Sequence, residues 1–299
     1  MKTSDITKLA TEQRNPRSRD IDRLTTKEMV ELINSEDKKV ACAVEKVCPQ
    51  IAAAIDLIYT RMKRGGRLIY CGCGTSGRLG ILDASECTPT YSVSPETVQA
   101  VIAGGNNAVF NAVEGAEDSA ELGAEDMCRL ALTENDTLVG IAASGRTPYV
   151  LGAMKAARAA GAGLIGLTCC PGSEIERAAD IGISPDPGPE VITGSTRMKC
   201  GTAQKMVLNM LSTGTMVKLG KVYGNLMVDV KPSNEKLVHR CISIVREATG
   251  ADEKTTVAAL EACGYKCKTA IVMLLCAVDA GEAEARLGRN DGRVADAIR

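Results

Sequence analysis

Four carboxylates of the 299-residue chain stand in two matched pairs, Asp83 with Glu86 in "LDASEC" and Glu114 with Glu117 in "VEGAED". Three residues apart on a helix, the members of a pair share a face, and such a pair can supply a general acid and a general base to one pocket. The first pair follows "YCGCGTSGRLG" at 70–80, in which Gly72, Gly74 and Gly77 have the spacing G-x-G-x-x-G behind the apolar run "RLIY". Related stretches recur as "ASGRT" at 143–147 and "GSTR" at 194–197. A dinucleotide site would need an acid at the end of the second strand to hold the ribose. That run ends "VIAGG", without one. A phosphate fits better: where a strand meets a helix N-terminus, unpaired N–H groups and the helix dipole favour an anion. Thr75, Ser76 and Gly77, then Ser144, Gly145, Arg146 and Thr147, then Ser195 are the candidate phosphate-binding residues. Each hydroxyl taken alone is equally an ordinary helix N-cap; three such stretches at strand ends of one sheet favour a ligand. Arg78, Arg146 and Arg197 could grip an anion through their planar forks, or pair with neighbouring acids.

Positioning these groups requires a scaffold of alternating strands and helices. Apolar residues at helical spacing predict a helix from Ser35 to about Arg64, ended by Gly65 and Gly66. "RLIYCG", "TVQAVIAGG", "DTLVGIAAS", "GLIGLTCC" and "IGISPD" read as strands, with helices over 115–132 and 148–160 among them. This predicts an α/β fold of three layers with a mostly parallel central sheet. A long helix is expected over about 196–219, burying Ala203, Met206, Val207, Met210, Leu211 and Val217. Past Pro232 only short helical patterns remain. The expected division is a catalytic domain over 1–235, opened by an N-terminal helical arm, and a small all-helical C-terminal domain over 236–299. Formal net charge is −1, and aromatic residues are scarce, with six Tyr, one Phe and no Trp. A nucleic-acid partner is therefore not expected. The thirteen cysteines lack a C-x-x-C pair and the single histidine is His239, so no zinc site is expected. They read as reduced, mostly buried thiols, and with no apolar stretch of membrane length the chain reads as cytoplasmic. His239 reads as structural.

At motif level the chain resembles the sugar isomerase (SIS) fold of phosphosugar-binding domains, through "CGTSG" and "SGRT" after two strands. More narrowly, "GRLGILDASECTPTY", "AVEGAEDSAELG", "TGSTRMKCGTAQKMVLNMLSTG" and "GKVYGNLMVDV", with "TEQRNPRSRDIDRLTTKEMV" near the start, resemble the N-acetylmuramic acid 6-phosphate etherases. The resemblance implies cleavage of a lactyl ether to N-acetylglucosamine 6-phosphate and D-lactate, without metal or other cofactor. It also implies a homodimer with the site near the subunit interface. Carried over residue by residue, it makes Glu86 the acid that protonates lactate and Glu117 the base. The apolar neighbours in "GILDASEC" predict a buried setting for Glu86, one that favours its acid form. Two other functions remain open on these residues: an aldose–ketose isomerase of a phosphosugar, and a phosphosugar-binding regulator without catalysis.

Overall fold

The apolar runs become strands whose residues are buried end to end: β1 (Leu68–Gly72), then, after β2 (Val98–Ile102), β3 (Thr137–Ile141) and β4 (Gly163–Leu167). Continuous burial of this kind belongs to parallel strands covered on both faces. With β5 (Ile181–Ile183) they form one sheet in the order β2-β1-β3-β4-β5, all neighbours parallel. The computed structural model describes residues 10–230, 232 and 234–299, so residues 1–9 of the expected arm lie outside the described ones.

The helices follow in chain order as α1 (Thr26–Glu45), α2 (Cys48–Met62), α3 (Gly74–Tyr91), α4 (Asn107–Phe110), α5 (Ala120–Arg129), α6 (Pro148–Ala159), α7 (Glu174–Ala178) and α8 (Lys199–Lys218). Side chains alternate along β1, as strand geometry requires. Ile69 and Cys71 join Met127 of α5 with Tyr149, Val150 and Met154 of α6 in one core. Tyr70 points to the opposite face, where its Oη donates to Asp83 Oδ2 of α3 at 2.7 Å. The sheet is thus the middle of three layers.

Three expectations are corrected. The single helix over 35–64 is two, because Pro49 lacks the N–H that would bond Glu45 and so opens a new helix instead of continuing α1. The helix expected over 115–132 begins only at Ala120, capped by Ser119, whose side chain accepts from Leu122 N; Glu117 lies before it in a 3-10 turn over Ala116–Asp118. On α8, Met210 and Val217 are exposed, whereas Leu208 and Met216 are buried with Ala203, Val207 and Leu211.

The chain divides into two compact units. One takes the residues up to Ala84 with Glu96–Ser212, and the other takes Ser85–Pro95 with Thr213–Arg299. The second contains the hairpin of β6 (Val222–Tyr223) and β7 (Leu226–Met227), then α9 (Glu235–Thr249), α10 (Glu253–Ala262), α11 (Cys267–Cys276), α12 (Ala280–Arg289) and α13 (Val294–Ala297). Its helices close over Cys241, Val245, Leu260, Ile271 and Ala283. Among the described residues no helix is long and apolar enough to cross a membrane.

Candidate functional site

The chain leaves β1 for β2 on one side and returns to place β3 on the other side of β1. This reversal opens a crevice at the carboxyl ends of β1 and β3, the usual ligand position in such sheets. A cavity of about 310 Å³ lies there, lined by Thr75 and Ser76 after β1, Ser144 and Thr147 after β3, and Gly194 and Thr196 before α8. All three stretches singled out by their sequence therefore meet in one place. Thr75 and Ser76 sit in the first turn of α3, which starts at Gly74.

The remaining candidates take other roles. Gly77 does not line the cavity: a Cβ there would stand 2.6 Å from Ile102 Cγ1 and 2.7 Å from Gly72 O, so glycine lets α3 approach the sheet. Its N–H bonds Cys73 O at 3.2 Å. Gly145 adopts φ +65 behind Ser144, with Ser173 packed where a Cβ would be. Arg146, half-buried, and Ser195 also lie outside the cavity wall. Of the other arginines, Arg197 is exposed, and Arg78 donates to backbone carbonyls, Nε to Val109 O at 2.8 Å and Nη2 to Asn111 O at 3.1 Å. His239 is exposed on α9, 3.9 Å from Glu235.

Of the acids, Glu117 lines this cavity. It also lines a second one of about 240 Å³, bounded by Arg78, Ala103, Ala108, Val113 and Glu114 among others, which shares Cys73, Gly74 and Glu117 with the first. Burial, with the charges of Glu117 and Asp118, pushes the Cys73 thiol up to about 12, keeping it neutral. Glu86 lines neither cavity and is exposed on α3, among the residues of the second unit. The buried setting expected for Glu86 belongs instead to Asp83. Asp83 accepts from Tyr70 Oη, from Asn209 Nδ2 at 2.7 Å and from Ser212 Oγ at 3.1 Å. Burial raises its pKa, and these hydrogen bonds oppose the rise without cancelling it.

Three residues of the site were not anticipated. Thr11 and Glu12, from the N-terminal arm, line the phosphate-loop cavity. Gln204 of α8 is buried, and its Oε1 accepts from Ser76 Oγ at 2.8 Å, while its Nε2 has no partner among the described residues. The arm is fixed by buried polar contacts. Asn15 Nδ2 donates to Glu36 Oε2 at 3.0 Å and Pro189 O at 3.2 Å, and Ser18 Oγ donates to Val191 O at 2.7 Å. Lys199 Nζ meets Glu36 Oε2 at 2.9 Å with both side chains 1% exposed. Among the described residues no three His, Cys, Asp or Glu side chains are grouped to hold a metal ion.

Comparison with known proteins accords with this geometry. Residues 50–158 match the glucokinase regulatory protein N-terminal SIS domain family, and residues 111–214 match the SIS domain family. Among solved structures, the phosphoheptose isomerase of Neisseria gonorrhoeae superposes with TM-score 0.51 at 21% identity, over 64% of this chain and 99% of that one, which shows a shared fold. Much nearer in sequence is the N-acetylmuramic acid 6-phosphate etherase of Aliivibrio fischeri, 56% identical over 294 residues and 98% of each chain. That of Clostridium beijerinckii is 55% identical over 298 residues, all of this chain and 98% of its own. That of Escherichia coli is 57% identical over 287 residues, 96% of each. A SIS fold carrying its acids and hydroxyl-lined cavity in a sequence this close to theirs belongs to the N-acetylmuramic acid 6-phosphate etherase family.

Proposed function

We propose that the chain cleaves the D-lactyl ether of N-acetylmuramic acid 6-phosphate, giving N-acetylglucosamine 6-phosphate and D-lactate in the recycling of cell-wall amino sugars. An alkyl ether resists direct hydrolysis because alkoxide leaves poorly. In the open-chain sugar, C1 is an aldehyde and the C2 hydrogen is acidic. Glu117 removes that proton, the electron pair forms the C2–C3 double bond, and the C3–O bond breaks as an acid, which the family resemblance makes Glu86, protonates the departing lactate oxygen. Water then adds at C3 and a proton returns to C2. Acid and base each contribute a factor of about 10²–10⁴.

The single observation that carries this reading is the place of Glu117, where the hydroxyl-lined cavity at the switch point meets a second, less polar one. Thr75, Ser76, Ser144 and Thr147 hold the phosphate together with the N-terminus of α3. Rotating the Gln204 amide by half a turn would let Nε2 donate to Ser76 Oγ, which frees the serine hydrogen for a phosphate oxygen. The chain works in the cytoplasm and as a homodimer, the latter supported by the exposed Leu82 of α3, Met210 of α8 and the lone phenylalanine, Phe110.

D-lactate release by wild type, Glu117→Gln and Glu86→Gln tests the reading. Turnover by wild type and a loss of at least about 10²-fold in each folded variant are expected. Binding of the substrate with no lactate released, or isomerisation of a phosphosugar in its place, would overturn it.

A further inference from the structure

We propose that the second cavity, which shares Cys73, Gly74 and Glu117 with the phosphate-loop cavity, receives the uncharged acylamino substituent on C2 of the sugar. This rests on the reading above, in which Glu117 takes the C2 hydrogen. With the phosphate among Thr75, Ser76, Ser144 and Thr147, the carbon chain runs from C6 towards Glu117. The group carried by C2 then reaches the second cavity of about 240 Å³, which Glu117 also lines.

The lining chemistry selects among substituents. Ala103, Ala108, Ala112 and Val113 give a wall of small apolar groups, and the neutral Cys73 thiol adds to it. The charged groups present are Glu114, Glu117 and Arg78. Two of the Arg78 donors are committed to Val109 O and Asn111 O. Two carboxylates facing one partly occupied cation make poor surroundings for the lactyl carboxylate. A neutral amide with a methyl tail meets no such penalty, and its methyl gains from leaving water. The wall is also fixed in place. Val113 packs onto Gly104 so closely that a Cβ on that glycine, at φ +86, would stand 2.9 Å from Val113 Cβ. The space exceeds what one acetyl fills, so longer acyl chains should enter it.

The test separates this pocket from the reaction. Binding of N-formyl-, N-acetyl-, N-propionyl- and N-butyrylglucosamine 6-phosphate is measured by calorimetry on wild type, Ala112→Leu and Val113→Ala, with lactate release followed in parallel. Wild type should hold the propionyl compound at least as tightly as the acetyl one, the added methylene leaving water for the cavity. Ala112→Leu, at an exposed position, should weaken propionyl and butyryl binding by about tenfold while sparing formyl, and Val113→Ala should shift the preference to longer chains. Equal weakening of all four compounds by Ala112→Leu, or no change in any, overturns the proposal. So does a response that tracks the ether side chain instead, read by comparing 3-O-glycolyl with 3-O-lactyl substrates. Absence of lactate release from the N-acetyl substrate would instead strike the etherase reading, and the binding series would still decide what the cavity holds.

Discussion

The two units bury different things. In the second, the helices α9–α13 close over aliphatic and thiol side chains, and most of their charges stay outside in pairs such as Lys266 with Glu284 and Arg286 with Glu282, Lys268 with Asp229 being a more sheltered pair. In the first, Glu36, Asp83, Glu190 and Lys199 are all at most 5% exposed. The difference follows from what each must hold still. Regular helices satisfy their own backbone groups. The stretch before α8 that carries Gly194 and Thr196 contains no helix or strand from Ser184 to Met198, so its polar backbone needs outside partners. Lys199 Nζ donates to Pro187 O, Asn15 to Pro189 O and Ser18 to Val191 O, while Glu190 accepts from the Lys199 and Cys200 N–H groups. Glu36, Glu190 and Lys199 are buried where an irregular loop has to stand in one place at the cavity.

The comparison breaks if the buried charges prove dispensable. Lys199→Met should have the largest effect, about 3 kcal/mol in denaturant unfolding, because it takes from Glu36 its fully buried cation, leaving only the half-exposed Arg17 and Lys39, and strips Pro187 O of its donor. The double variant Lys199→Met/Glu36→Leu should recover part of that loss, since no buried charge is left unpaired and the half-exposed Arg17 and Lys39 can turn to water. A single-variant cost no greater than that of an exposed pair would show that the network is ornamental. Next comes Asp83→Ala, which strands Tyr70 Oη, Asn209 and Ser212 and should cost about 1–3 kcal/mol. Glu86→Gln, three residues along on the exposed side, should leave the unfolding midpoint where it is while removing activity. Equal destabilisation by the two would erase the contrast drawn between them.

The pH dependence sharpens the same point. Burial alone would raise the Glu36 pKa, but hydrogen bonds from Lys39, Lys199 and Asn15, with the Lys199 charge, outweigh it and hold the carboxyl at about 2. A carboxyl depressed in the folded state gives stability that is present above its unfolded value and disappears as pH falls through the folded one. The contribution of Glu36 should therefore be full above pH 4.5 and decline from there towards pH 2. In Lys199→Met this acid limb should be shallower, read as unfolding midpoints measured across that range.

How much of this was legible in the sequence depended on the range of the interactions. The strands could be read because a parallel strand buried on both faces is a continuous apolar run, as "LIYCG" and "TLVGI" are. The serine and threonine stretches could be read because a strand end followed by a helix start is a local pattern. Gln204 could not, since its contact with Ser76 spans 128 residues of chain. Nor could Glu12, whose place in the cavity depends on the arm folding back over Gly194. The pairing of Asp83 with Glu86 failed for a subtler reason. Residues three apart differ by about 60° around a helix, enough to turn Asp83 onto the sheet and Glu86 into solvent.

The smallest effect is expected in the second unit. Lys266 and Glu284 approach to 2.7 Å, yet their side chains are 64% and 49% exposed. Water screens such a pair, and holding two long side chains in one geometry offsets most of the attraction. Lys266→Ala should leave the unfolding midpoint unchanged within error, at low and at high salt alike. A clear loss of stability that fades with added salt would mean that the second unit, too, depends on its charges, and the distinction between the units would have to be redrawn as one of degree.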